Sequence, residues 1–332
     1  MKIIIPMAGR GSRLRPHTLT VPKPLVPVAG KPMVQRIVED LATGHSGKIE
    51  EVAFIIGDFG EAAEAQLRSI AENLGAKASI YHQDQPLGPA HAISCASASL
   101  SGPCMVAFAA TLFRANFNYD TDADGLIWAK RVDDPSSFGV IKTDDQQIIT
   151  EFVEKSPTFV SDLAIVGLYY FKRGEDLRDE IQHMLDNNIT DKGEFQITTA
   201  LELLKDKGTR FKAAQIDEWL DCGNKANILH TNQRMLAIGG DSVVAESVEL
   251  DNSILLPPCY VGAGVRIKNS VVGPFVSIGD NSSVENSVIQ NSMIQRNTQV
   301  QRAVLDEAML GNQVEYSGKK SEISLGDYSV HT

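Results

Sequence analysis

The chain has 332 residues, 43% of them apolar, and a net charge of −11. Its length points to two domains, its acidity excludes nucleic-acid binding by the surface as a whole, and no apolar run reaches the length of a membrane span. Lys2 is followed by only three isoleucines before Pro6, which is not a signal peptide, so a cytoplasmic protein is expected. Cys95, Cys104, Cys222 and Cys259 show no metal spacing and read as reduced core thiols.

Ile3 to Ile5 reads as a short buried strand. A loop follows, Pro6-Met7-Ala8-Gly9-Arg10-Gly11-Ser12-Arg13-Leu14, and the stretch closes with Pro22-Lys23-Pro24 and Gly30-Lys31-Pro32-Met33. Gly9 and Gly11 let backbone N–H groups approach an anion, and Arg10, Arg13, Arg15 and Lys23 add fixed cations, which is the composition of a polyphosphate site. Two better-known glycine loops are excluded. The dinucleotide fingerprint needs a third small residue where Leu14 stands, and the P-loop needs Gly-Lys-Ser/Thr where the chain reads Leu14-Arg15-Pro16.

Met33, Val34, Ile37, Val38 and Leu41 mark one helical face; Val52 to Ile56 reads as a second strand, residues 61–74 as a helix, and 78–81 as a strand. A loop from Gln83 to Ala90 enters an alanine-rich helix, and 104–109 reads as another buried strand. This alternation predicts a doubly wound α/β sheet, with ligands at the carboxyl ends of its strands. Further on, residues 139–141 and 148–154 read as neighbouring strands and 165–171 as another; 174–185, 198–204 and 225–236 read as helical, and Trp219 to Gly223 ends a strand. Gly239-Gly240 marks the expected boundary between domains 1–240 and 241–332. Beyond it, Asn-Ser followed by two apolar residues recurs at Asn252, Asn269 and Asn286, and apolar residues step every five or six positions from Val261 to Leu310.

The N-terminal stretch resembles the signature of the sugar-1-phosphate nucleotidyltransferases, and the hexapeptide steps resemble a left-handed parallel β-helix. The resemblance implies a Rossmann-like nucleotidyltransferase domain followed by that β-helix. It implies transfer of a nucleotidyl group from an NTP to a sugar 1-phosphate, giving NDP-sugar and pyrophosphate. It gives Arg13 the triphosphate, with the backbone of Ala8, Gly9, Gly11 and Ser12 around it, and Lys23 the charge near the α-phosphate. Gln83 corresponds to the base-reading glutamine and Gly88 to the glycine approached by the base. A Gln amide offers one donor and one acceptor, which suits uracil or thymine better than guanine, so dTTP or UTP is expected. Glu154 and Lys155 correspond to the sugar-hydroxyl acceptor and sugar-phosphate cation; Gly139, Gly167, Tyr169 and Glu194 correspond to the sugar pocket. Here Ser156 is inserted before the proline of the Glu-Lys-Pro element.

The metal site departs from the pattern. Members of the family hold Mg²⁺ with two aspartates; Asp221 corresponds to one, but Ala110 stands in place of the other and has no side-chain oxygen. Asp120, Asp122 and Asp124 lie too far downstream to stand in. Either the position was altered to stop turnover, which the intact remainder of the site favours, or the chain is a naturally inactive regulatory or nucleotide-sugar-binding relative. A third reading, an acyltransferase acting through the β-helix, requires a histidine, and residues 243–332 hold only His331. The end of a β-helix exposes an unpaired edge, which predicts a homo-oligomer.

Overall fold

A computed structural model describes residues 1–9, 11–115, 117, 123–319, 324 and 326–330. Arg10, Asp120, Asp122 and His331 lie outside the described residues. Two compact units are present: Met1–Val26 with Lys31–Asn224, and Pro27–Gly30 with Lys225–Thr332.

The first unit runs β1 (Lys2–Pro6), α1 (Met33–Gly44), β2 (Glu51–Ile56), α2 (Glu61–Asn73), β3 (Lys77–His82), α3 (Pro89–Cys95), β4 (Cys104–Ala107), β5 (Thr111–Arg114), β6 (Gly125–Arg131), β7 (Gly139–Thr143), β8 (Ile149–Glu154), β9 (Leu163–Phe171), α4 (Gly174–Asp186), α5 (Ile197–Asp206), β10 (Phe211–Gln215) and β11 (Glu218–Asp221). Nine strands form one mixed sheet, ordered β8-β7-β9-β4-β1-β2-β3, with β6 paired to β9 and β10. Strands β4, β1, β2 and β3 are mutually parallel, while β9 runs antiparallel to β4, β6 and β7. The doubly wound expectation therefore describes the parallel half, and an antiparallel half is added to it.

The continuous apolar runs have a physical cause. Ile3, Ile4 and Ile5 are fully buried, as are Val52 to Ile56, because a parallel strand is covered on both faces. Each such side chain contributes ~1.5–3 kcal/mol by leaving water. The chain order places the switch point of the sheet between β1 and β4: β2 and β3 add on one side of β1, and the chain then returns to the other side. The carboxyl ends of β1 and β4 consequently flank a crevice, the place where such sheets take ligands. The strand expected over 104–109 stops at Ala107, and residues 109–110 form a turn into β5. β5 then pairs with β11 so that Thr111 faces Asp221.

The second unit begins with α6 (Lys225–Gly239). The Gly239-Gly240 boundary expected from sequence falls at the end of this helix; the compact units divide at its start. The cause is Asn232, fully buried, whose Oδ1 accepts from the Ala29 backbone N–H at 2.8 Å and from the Ser277 hydroxyl at 2.7 Å. Gly30 lies against the ring of Tyr260, where an added Cβ would meet ring carbon at 2.2 Å. Residues 243–317 form three stacks of short parallel strands, the three faces of a left-handed parallel β-helix. Val261, Ile267, Val272, Ile278, Val284, Ile289 and Val300 point inward and are buried.

The Asn-Ser repeat marks one corner of the prism. Asn252, Asn269 and Asn286 have φ of 46°, 48° and 50°, a left-handed conformation that Asn tolerates well. Their amides stack: Asn252 Nδ2 donates to Asn269 Oδ1 at 2.9 Å and Asn269 Nδ2 to Asn286 Oδ1 at 3.3 Å. The following serines accept the backbone N–H of the next coil, Ser270 N to Ser253 Oγ and Ser287 N to Ser270 Oγ, both at 3.1 Å. Arg302 takes the fourth position at that corner, with φ 49°.

Candidate active site

The crevice at the switch point opens into a cavity of about 460 Å³. The loop after β1 lines it with Ala8, Gly9, Gly11, Ser12 and Arg13, and Lys23 comes from the return of the same stretch. Gly11 has φ 61°, accepts from the Thr18 hydroxyl through its carbonyl at 2.8 Å, and leaves an added Cβ only 2.8 Å from Lys23 Cβ. Glycine here lets the loop fold tightly under Lys23. From the other side of the switch point come Phe108, Ala109 and Ala110.

Lys23 is a half-buried cation of the site. Burial lowers its pKa from the ordinary lysine value, Cys222 and Asp221 act against that shift, and Arg13 adds to it. Its Nζ donates to the Ala110 carbonyl at 3.2 Å. Asp221, at the exposed end of β11, accepts from Gly223 N at 2.9 Å through Oδ1, and Gly223 lines the cavity.

Gln83 and Gly88 form the far wall. Gln83 Nε2 donates to the Gly88 carbonyl at 3.2 Å and lies 3.1 Å from His91 Nδ1. Gly88 has φ 118°, and an added Cβ would meet the Phe195 backbone at 2.7 and 2.8 Å. That contact clasps the 83–90 loop to the 191–196 loop: Ala90 N donates to Phe195 O, and Phe195 N to Leu87 O, both at 2.9 Å. Glu194 thereby reaches the cavity, held by Gln196 Nε2 at 3.0 Å.

The remaining predicted residues form an adjoining cluster and do not line that cavity. Glu154 Oε2 accepts from the Thr198 hydroxyl at 2.8 Å, and Lys155 Nζ lies 3.3 Å from Glu154 Oε1. Gly139 leaves no room for a side chain: an added Cβ would stand 2.9 Å from Thr198 Cγ2 and 3.0 Å from Glu154 Oε2. Gly167, at φ 84°, accepts from Phe108 N at 2.9 Å, and the Tyr169 ring meets Phe108 edge-on at 6.2 Å. Burial raises the Tyr169 phenol pKa and Glu154 adds to the rise, so it stays protonated. Phe108 is the shared wall between cavity and cluster.

Several expectations shift on inspection. Among the predicted cations, Arg15 does not line the cavity; Lys31, of the closing Gly30-Lys31-Pro32-Met33 motif, pairs with Glu39 at 2.7 Å. Gly30 belongs to the second unit instead of the phosphate loop. Asp124 is committed to Arg210 N at 2.9 Å. Sequence reasoning missed His91, Thr198 and Lys192, which donates to Lys155 O at 2.7 Å. A His in the first turn of a helix, eight residues after a loop Gln, was the one available signal, and it was too common a pattern to single out.

Divalent-cation chemistry can be tested against the donors. Among the described residues no group of three His, Cys, Asp or Glu side chains could hold a metal. Asp221 offers one carboxylate, Ala110 offers none, and the Ala110 carbonyl is already taken by Lys23. The donors suit an ion carried on substrate phosphates, with Asp221 as its protein ligand, since Mg²⁺ keeps water and phosphate oxygens around one or two carboxylates.

Comparison with known proteins agrees with this geometry. The family described as Nucleotidyl transferase matches residues 2–237, and the family described as GlmU-like, C-terminal hexapeptide matches 241–315. The chain is 32% identical over 320 residues to a glucose-1-phosphate thymidylyltransferase of Streptomyces antibioticus, covering 89% of this chain and 87% of the relative. It is 30% identical over 319 residues to the low-salt glycan biosynthesis nucleotidyltransferase Agl11 of Haloferax volcanii, with the same coverage of 89% and 87%. The fold is similar to that of a UDP-glucose pyrophosphorylase crystallised with UDP-glucose, with a TM-score of 0.60 and 24% identity over 71% of this chain and 98% of that one.

Proposed function

The chain belongs to the nucleotidyl transferase family, as a sugar-1-phosphate nucleotidyltransferase, and from that premise we propose that it joins a thymidylyl or uridylyl group from dTTP or UTP to a sugar 1-phosphate. A glucose-1-phosphate thymidylyltransferase is the preferred assignment, ahead of a uridylyltransferase. The observation that carries it is the cavity at the switch point, which holds Arg13 and Lys23 on one wall and the tethered amide of Gln83 on the other. Cations for phosphates and an amide oxygen that can accept from a pyrimidine N3–H thus share one space.

In the reaction, an oxygen of the sugar phosphate attacks the α-phosphorus, a P–O bond forms, and the α–β bridging P–O bond breaks to release pyrophosphate. No side-chain nucleophile is needed; the work is positioning and charge stabilisation. Arg13 and the loop backbone grip the triphosphate, and Lys23 faces the charge that develops near the α-phosphate. Glu154 and Glu194 accept sugar hydroxyls, Lys155 holds the sugar phosphate, and Gly139, Gly167 and Tyr169 shape its pocket. Mg²⁺, when bound, supplies further neutralisation of phosphate charge, with Asp221 as its ligand. Without a carboxylate at position 110, nucleotide binds and turnover is slow.

Ala110 also favours a second reading, a non-catalytic subunit that binds nucleotide or nucleotide-sugar. Acyl transfer has no support in the described residues, and His331 lies outside them. A homo-oligomer remains part of the proposal, supported by Ile254, Val288 and Val304, exposed along one face of the β-helix. A cytoplasmic setting stays part of the proposal, with Cys104, Cys222 and Cys259 buried as core thiols. Calorimetric titration of the four NTPs, with and without sugar 1-phosphates, tests the main reading: binding of dTTP or UTP ahead of GTP and ATP is expected, and preference for a purine overturns it.

A further inference from the structure

We propose that His91 is a positioning residue that fixes the Gln83 amide in one orientation, and so selects pyrimidines whose N3 carries a hydrogen over those whose N3 is an acceptor. The inference rests on the functional reading above.

The two ends of a glutamine amide have nearly the same shape but opposite hydrogen-bonding character. At Gln83 the surroundings decide which end is which. One end lies 3.2 Å from the Gly88 carbonyl, which can only accept, so that end must be the NH₂. The same nitrogen lies 3.1 Å from His91 Nδ1. With one hydrogen given to Gly88, the second points to His91, and Nδ1 must accept it through a lone pair. His91 is therefore the neutral tautomer with its proton on Nε2. Both amide hydrogens are used, and Oε1 is the atom left for a ligand. The backbone of Gln83 is itself pinned, its N–H donating to the Ile56 carbonyl at 2.9 Å.

An acceptor at that point suits uracil or thymine, whose N3–H donates. It opposes cytosine, whose N3 is a bare lone pair. A protonated His91 would instead present Nδ1–H to the amide and reward the reversed orientation, against the Gly88 carbonyl. The tether is thus competent only with neutral His91. Burial lowers the His91 pKa from the ordinary histidine value, which keeps it neutral in the working range. The titratable groups on the packed elements are Cys95, whose thiol donates to the His91 carbonyl, Asp84 beside Gln83, and Glu194 across the cavity. Burial is the cause that displaces the imidazole.

The test measures UTP and CTP affinities by calorimetry for the full chain and for His91→Leu and His91→Asn, between about pH 5 and pH 8. The phosphates of the two ionise alike, but cytosine N3 takes up a proton toward the acid end of this range, so each variant is compared with the unaltered chain at the same pH, which cancels that change in the ligand. The unaltered chain should prefer UTP, and the preference should shrink as pH falls through the His91 pKa. His91→Leu should lose ~10-fold of the preference at every pH, the scale of one hydrogen bond. His91→Asn, whose Oδ1 can replace Nδ1 as acceptor, should keep the preference and lose the share of its pH dependence that His91 contributes. A His91→Leu protein that folds and retains both preference and pH dependence overturns the inference while leaving the functional reading intact. Should His91→Leu not fold, a His91→Asn protein whose preference still varies with pH as in the unaltered chain overturns it equally. An unaltered chain that binds neither UTP nor dTTP overturns the functional reading itself.

Discussion

Lys23 Nζ and the carbonyl oxygen of Ala110 stand 3.2 Å apart, across the crevice between the carboxyl ends of β1 and β4. The contact joins the phosphate loop to the turn that lacks the expected carboxylate. That turn leads into β5, whose first residue Thr111 pairs with Asp221.

Replacing Lys23 should separate stability from function. Burial lowers the Lys23 pKa, so the unfolded chain binds more protons than the folded one between the two values, and stability rises with pH there. Below the folded value the cost of the buried charge is fully present. Lys23→Met removes it, so the ligand-free variant should melt higher than the unaltered chain at neutral pH. The same change should weaken nucleotide binding by ~10–100-fold, the scale of a hydrogen bond to a charged group. Thermal melting with and without dTTP reads both effects; a variant that melts lower and binds equally well contradicts the assignment.

Thr198→Val should act on the sugar side alone. The hydroxyl donates to Glu154 Oε2 at 2.8 Å, and the valine methyl preserves the contact with Gly139. Losing one hydrogen bond corresponds to ~1 kcal/mol, so KM for the sugar 1-phosphate should rise ~5-fold with Kd for the nucleotide unchanged. Steady-state kinetics on an active background measures this; a shift in nucleotide Kd of the same size would place Thr198 in the wrong subsite.

Asn269→Ala should loosen the β-helix locally. It removes amide bonds to both Asn252 and Asn286 and puts alanine at φ 48°. The expected loss is ~1–3 kcal/mol, from two hydrogen bonds and a left-handed conformation that alanine resists. Hydrogen exchange should accelerate in the strands flanking residues 252, 269 and 286, and not in the parallel sheet of the first unit.

The sequence made the parallel half of the sheet legible because buried strands announce themselves as apolar runs, Ile3–Ile5 and Val52–Ile56 above all. The β-helix was legible because its corner asparagines repeat. What the sequence hid were contacts between distant segments. β5 and β11 pair across a long interval, and nothing local in Thr111–Arg114 predicts that partner. The division of the units before α6 depends on Asn232 reaching Ala29 and Ser277, which no period or composition shift signals. The residues that line the cavity were legible as motifs, whereas His91 and Thr198, which hold Gln83 and Glu154, act through single hydrogen bonds that carry no sequence pattern.

Ala110→Asp should create or restore transfer without greatly improving nucleotide affinity. Under the proposed reading Arg13, Lys23, Gln83 and the loop backbone would hold the ground-state nucleotide, and all of them line the cavity. Ala110 immediately precedes Thr111, the strand partner of Asp221, so a carboxylate at position 110 is expected to give a divalent cation two protein oxygen ligands in place of one. A group that acts more strongly in the transition state alters kcat more than binding. Charge moves onto the departing pyrophosphate as the reaction proceeds, and that is where a better-held cation acts. The gain should be ~10³-fold or more, corresponding to several kcal/mol of barrier. The new carboxylate would also raise the depressed pKa of Lys23, so that the ammonium stays charged to higher pH than in the unaltered chain. Pyrophosphate release by both proteins at saturating Mg²⁺, dTTP and glucose 1-phosphate measures the effect, with UTP run in parallel. Equal rates would mean that the cation is held elsewhere, and that position 110 is not where the chemistry is limited.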